Sequence, residues 1–269
     1  MFFRAIQWEV HVKRLIAGCL FLVATAATQA AGAQEPKPTI VLVHGAFADS
    51  SSWNGVISRL EDDGYRVIAA PDALRSVRGD ARIVSSLVRS VSGPVVLVGH
   101  SYGGSVISEA ASEQSNVKAL VYVAAFAPDA GETALGLTGR FAGSTLAAAL
   151  SAPVPLGSGV SDLYIDRDKF RAQFAADVPP ETARLMAAGQ RPIADAALKE
   201  PSGAPAWRRL PSWFVFGDQD RNIPVAAHRF MAKRAGAKAT LQVEGGSHVV
   251  MVSHPGEVAR LIEQAAAAR

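Results

Sequence analysis

The chain has 269 residues, 49% of them hydrophobic and 19% charged, with a net charge of +3. That length suits one large α/β domain or two small ones, and so weak a charge argues against a nucleic-acid partner. No segment repeats at a fixed period, which excludes a solenoid or propeller.

Arg4, Lys13 and Arg14 precede an apolar run from Leu15 to Ala27, and Ala31-Gly32-Ala33 follows it. A basic start, an apolar middle and a small-residue end make a secretory signal peptide, so residues 1–33 are expected to be removed after Ala33. The run is about 13 residues, short of the ~20 that span a bilayer as a helix. Cys19 is the only cysteine, and it opens the run rather than following it, so its resemblance to a lipoprotein box is coincidental. The rest of the chain then has no thiol for a disulfide, a metal or a nucleophile. A periplasmic or secreted protein is expected, with no stable membrane span after cleavage.

Thr39 to Val43 is a short β-branched run between Pro38 and Gly45, and it reads as a buried strand. Trp53, Val56, Ile57 and Leu60 fall at helical spacing, predicting a helix over 51–63 that Gly64 stops. A strand is predicted over 65–70, a helix over 81–91, a strand over 94–98, a helix over 105–114 and a strand over 117–125. From about 128 to 210 the rhythm breaks. That stretch is rich in Pro and Gly, shows no convincing buried strand, and suggests short helices over 169–176 and 181–188. Strands over 212–216 and 239–243 and helices over 225–235 and 257–267 restore the alternation. The pattern predicts an α/β fold whose mostly parallel central sheet is covered by helices on each side. The interruption reads as a helical cap over the carboxyl ends of the strands, where open α/β sheets place their sites.

Gly99-His100-Ser101-Tyr102-Gly103 matches G-x-S-x-G between a predicted strand and a predicted helix. That context defines a nucleophile elbow, a sharp turn that exposes the serine Oγ. A serine hydroxyl needs a base and an orienting acid, and in this arrangement the acid precedes the histidine in the chain. Asp218 and Asp220, just after the strand over 212–216, both qualify as the acid. His248, in the loop after the last predicted strand, is favoured as the base. His228 lies inside a predicted helix and reads as a surface residue, while His254 marks a helix start. The oxyanion formed on acyl attack would be met by the N–H of Tyr102 and that of Ala46, with Gly45 letting the loop turn inward. His44 reads as a structural partner of that loop. The six histidines form no H-x-H or H-E-x-x-H arrangement, which disfavours a metal-dependent hydrolase. Trp53, Trp207 and Trp213 read as packing, while Phe126, Phe141, Phe170, Phe174 and Met186 are candidate pocket residues.

These motifs resemble the α/β-hydrolase superfamily. Val41 to Ala46 with Trp53, then Gly99 to Gly104, Gly217 to Asp220 and Gly246 to His248, are similar to its plant methylesterase and hydroxynitrile-lyase branch. The resemblance runs from about residue 38 to the end, loosely through the cap. It implies a mostly parallel eight-stranded sheet, a helical cap and no cofactor, and it selects Asp220, leaving Asp218 to close the turn. The lyases of this branch typically carry Thr where this chain has Gly45, and Lys where it has Val249. Without that cation a departing cyanide has no stabiliser, so the resemblance points to hydrolysis of a small-molecule ester. The same triad would serve a lactonase, an amidase, a carbon–carbon bond hydrolase or a cofactor-free perhydrolase. A non-catalytic binding protein on this scaffold is the competing reading, and the complete triad set in the right order argues against it.

Overall fold

Residues 36–268 are described by the structure, a computed structural model. The expected leader, with Cys19, lies outside them. The first half alternates β1 (Thr39–Val43), α1 (Asn54–Asp62), β2 (Val67–Ala70), α2 (Val77–Ser90), β3 (Val95–His100), α3 (Tyr102–Ala110) and β4 (Val117–Val123). The insertion that follows holds α4 (Ala134–Gly139), α5 (Leu146–Ala149), β5 (Val154–Gly157), β6 (Val160–Leu163), α6 (Phe170–Phe174), α7 (Pro180–Gly189), β7 (Ile193–Ala194) and α8 (Asp195–Lys199). The chain then returns through β8 (Ser212–Gly217), α9 (Val225–Arg234), β9 (Ala239–Val243), α10 (Val250–Ser253) and α11 (Pro255–Ala267).

The main sheet has the order β2-β1-β3-β4-β8-β9, and every neighbouring pair is parallel. Parallel pairing requires crossovers that cover both faces, which is why β1, β3 and β8 are buried along their whole length. Among the described residues the main sheet has six strands, not the eight implied by resemblance. Each of the five crossovers after β1 adds one parallel strand. The cap is also less purely helical than expected. It contains a three-stranded antiparallel sheet, β5-β6-β7, whose first strand is exposed throughout.

Local chemistry sets the boundaries. α2 starts four residues earlier than its apolar spacing suggests, because the Ser76 side chain caps it by accepting from Gly79 N–H. α11 starts at Pro255, whose missing N–H costs nothing at a first helical position. The strand order fixes the site. The chain steps outward from β1 to β2, then crosses back to β3 on the other side of β1. This reversal leaves a crevice at the carboxyl ends of β1 and β3. Val43 is in register with Gly99 there, so the loop after β1 meets the turn after β3.

Candidate active site

Ser101 sits on that turn with φ 52° and ψ −122°, a conformation L-residues avoid. The surroundings hold it there. Its N–H donates to Val123 O, and its carbonyl accepts from Gly104 N–H and Phe126 N–H. The close packing demands small residues. A Cβ on Gly104 would lie 2.2 Å from Phe126 O, and one on Gly45 would lie 2.6 Å from Ser101 Cβ. Backbone strain of this kind costs about 1–3 kcal/mol and is the kind that gathers at active sites, although Leu74 and Ser158 also have positive φ.

Tyr102 is the first residue of α3, so its N–H is one of the donors a helix start leaves unspent. Ala46 N–H makes no hydrogen bond among the described residues, whereas its neighbour Phe47 N–H donates to Arg191 O. His44 secures this loop. The geometry is that of an Nδ1–H donating to Gly45 O at 3.0 Å and an Nε2 accepting from Asp72 N–H at 3.2 Å. Burial pushes its imidazole below the usual histidine range, so the ring is neutral. The Tyr102 hydroxyl donates to Asp80 Oδ2 at 2.9 Å, anchoring the first turn of α3. Burial first, and then the neighbouring Asp80, push the Asp72 carboxyl well above the ordinary carboxylate range. His44 on the loop after β1 is thus tied to the Asp72 N–H, and Tyr102 on the elbow after β3 to the Asp80 carboxylate, both acids being buried.

Asp220 follows β8 and is buried, as is His248 after β9. Asp220 Oδ2 lies 2.7 Å from His248 Nδ1. Asp220 Oδ1 accepts from the N–H groups of Asn222 and Ile223 at 2.8 and 3.0 Å. Burial alone would raise this carboxyl, but His248 and His228 outweigh it and hold it far below the ordinary range. Asp218 instead accepts from Gly245 N–H at 2.8 Å, closing the two loops on each other. His248 Nε2 is buried and makes no hydrogen bond, to Ser101 or to any other described residue. Such contacts commonly tighten only when substrate binds. His100 Nε2–H donates to His248 O at 3.2 Å, fixing the backbone of His248 from the residue beside Ser101.

His228 does not fit its expected surface position. It is buried, and its Nε2 lies 2.9 Å from Asp220 Oδ2. Sequence reasoning overlooked the signal. Met231 and Ala232 lie three and four residues on and are buried on the same face of α9. His254 stands where expected, at the start of α11, with Nδ1 3.5 Å from Asp177 Oδ2.

The cap reaches the site through polar clasps. Gln173 Nε2 donates to Arg221 O and to Asn222 Oδ1 at 2.8 and 2.7 Å, while its Oε1 accepts from Thr145. Ser247, next to His248, bonds Asp177 and Phe174 O. Below the cap lies a cavity of about 370 Å³ bordered by Ser101, Tyr102, Ala46 and Phe126. Its outer wall is aliphatic, with Leu146, Leu150, Leu163, Leu198 and Ile223. Lys199 also borders it, but is paired with Asp195 at 2.6 Å. Of the five pocket candidates only Phe126 lines this cavity. Phe170 and Phe174 are wholly buried, and Phe174 packs on the His248 ring at 5.2 Å. Phe141 packs on Phe230 at 5.5 Å, and Met186 borders a separate groove. Trp53, Trp207 and Trp213 are packing residues, with Trp53 edge-on to His100 and Trp207 Nε1 bonded to Pro128 O.

The alpha/beta hydrolase family profile matches residues 40–261, and the chain belongs to that family. Its relatives make it an esterase-like hydrolase, similar to the branch the motifs suggested. It is 27% identical to a pyrethroid hydrolase of Sphingobium wenxiniae, over 83% of this chain and 85% of that protein. It is 25% identical to an alpha-hydroxynitrile lyase of Arabidopsis thaliana, over 82% of this chain and 94% of the lyase. The crystal structure of polyneuridine aldehyde esterase superposes with a TM-score of 0.74 at 18% identity, covering 85% of this chain and 99% of that one.

Proposed function

We propose that the protein is a serine hydrolase that cleaves an uncharged carboxylic ester through an acyl-enzyme on Ser101. The observation that carries this reading is the state of His248. Its Nδ1 is held by a carboxylate that stays ionised, and its Nε2 is unspent. An imidazole held this way presents Nε2 as the base. In the proposed reaction Nε2 takes the Ser101 proton as Oγ attacks the acyl carbon, and Asp220 steadies the imidazolium. The N–H groups of Ala46 and Tyr102 receive the oxyanion. The imidazolium returns its proton to the alkoxide leaving group, and water, activated by the same nitrogen, releases the acid.

The cavity wall supports an uncharged, apolar substrate, because its one lysine is already paired. Val249 supports hydrolysis over cyanohydrin cleavage, since it is fully buried and offers no cation beside His248. The similarity to a pyrethroid hydrolase favours the same class. The test is turnover of p-nitrophenyl butyrate by wild type and Ser101→Ala, with labelling by a fluorophosphonate. The substitution should abolish labelling and lower turnover by roughly 10⁴-fold or more, with an unchanged circular dichroism spectrum. Substantial ester turnover by Ser101→Ala would overturn the mechanism. We also propose export, supported by the basic, apolar and small-residue order of residues 1–33. N-terminal sequencing of the protein from a periplasmic or medium fraction should begin at Gln34.

A further inference from the structure

Asp220 carries one imidazole more than a triad needs. Oδ2 receives His248 Nδ1 at 2.7 Å and His228 Nε2 at 2.9 Å, while Oδ1 receives two backbone N–H groups. A carboxylate offers about four acceptor positions, and all are taken. The His228 ring is held by more than this bond. It stacks on Phe216 with centroids 4.7 Å apart and planes 9° from parallel, and its Nδ1 is buried without a partner. That bare Nδ1 fixes the tautomer. A proton there would be a buried, unsatisfied donor, and Nε2 would then turn a lone pair toward a carboxylate. The proton therefore sits on Nε2 and is donated to Asp220.

We propose that His228 is a positioning residue for the catalytic machinery, acting through Asp220 alone. The inference rests on the triad reading above. His228 touches no reacting atom. Its N–H holds Oδ2 in place for His248, and it draws off part of the carboxylate charge that would otherwise raise the proton affinity of His248. The ionisable groups facing this pair are Asp220 on the loop after β8, His248 on the loop after β9 and His100 at the end of β3. On α9 itself, Arg229 and Lys233 are exposed, and Arg234 is bonded to Glu132.

Two amide substitutions separate positioning from mere packing. The side-chain amide of Gln can place an N–H near the position of Nε2, and that of Asn, one carbon shorter, cannot. The wild type is first labelled with a fluorophosphonate at Ser101; failure there sinks the triad reading itself. With labelling established, His228→Asn should lower kcat by about tenfold, the worth of one hydrogen bond to a charged group. KM should stay within about twofold, as expected when an interaction specific to the transition state is lost. The acidic limb of the kcat/KM profile should move to higher pH, and the low-field proton resonance of His248 Nδ1–H should shift. His228→Gln should recover most of the rate and both signatures. Equal loss in the two variants, or wild-type kcat and pH profile in His228→Asn, would overturn the proposal while leaving the triad reading intact.

Discussion

The sheet rim and the cap enclose the same cavity, but they are held in different ways. At the rim, position is set by backbone. Ser101 is locked by three main-chain hydrogen bonds and by glycines that admit no side chain, and every acceptor position of Asp220 is filled. The cap instead consists of short helices and a small exposed sheet, clasped by single side chains such as Gln173 and Asp177. Rigid placement suits the proposed reacting groups, for which a small displacement is expensive. Side-chain clasps suit a wall that only selects and encloses.

Substitutions at the rim should therefore damage chemistry or folding, and substitutions in the cap should change binding. The largest effect is expected for Asp220→Asn, which keeps the shape but disturbs the His248 tautomer. Initial-rate measurements should find kcat lowered by about 10⁴-fold, and a variant retaining a tenth of wild-type kcat would break the comparison. Next comes Gly104→Ala, whose methyl must displace the backbone at Phe126. Urea unfolding should report a loss of about 3 kcal/mol. Gly139→Ala in the cap, where a Cβ meets nothing within 4 Å, should be neutral or gain up to about 1 kcal/mol.

A pH series sharpens the contrast further. Burial first, and then His248, hold the His100 imidazole well below its ordinary range. The unfolded chain then binds a proton that the fold does not, so the contribution of His100 is whole above about pH 6.5 and drains as the pH falls below it. The gap in melting temperature between wild type and His100→Phe should narrow from pH 7.5 to pH 5. His44 and Asp72 are common to both proteins and cancel; a constant gap would contradict a neutral, buried His100. A modest effect, on binding rather than chemistry, is expected for Gln173→Leu, which releases the three bonds of a cap clasp. KM should rise by about fivefold, about 1 kcal/mol of the clasp reaching the binding step, with kcat nearly unchanged.

What could be read from sequence follows the same division. β1, β3 and β8 announce themselves as uninterrupted apolar runs, and the elbow is a local motif whose glycines have a steric purpose. Ser101 is legible from the elbow and His248 from the loop after the last strand, whereas the choice of Asp220 over Asp218 comes only from the resemblance; all three follow strands of one sheet at its carboxyl end. β5 was invisible because Val154-Pro155-Leu156-Gly157 is exposed and contains both a proline and a glycine. The six-strand count could not be had from a resemblance to an eight-stranded family. A histidine in a helix gives no sign of burial by its own type; only Met231 and Ala232 beyond His228 mark that face of α9 as buried. The acid pair Asp72 and Asp80 gave no signal at all, since burial of a carboxylate depends on tertiary packing.

Gly45 carries a consequence for how such a chain could acquire a neighbour's chemistry. The lyase pattern has threonine at this position and lysine after the histidine. Here the first substitution would press a side chain against Ser101 Cβ and His100 O, at 2.6 and 2.7 Å. The second would place an ammonium where Val249 is sealed from water. Neither replacement is a free step, so the route between the two activities passes through repacking of the crevice before any change of reaction.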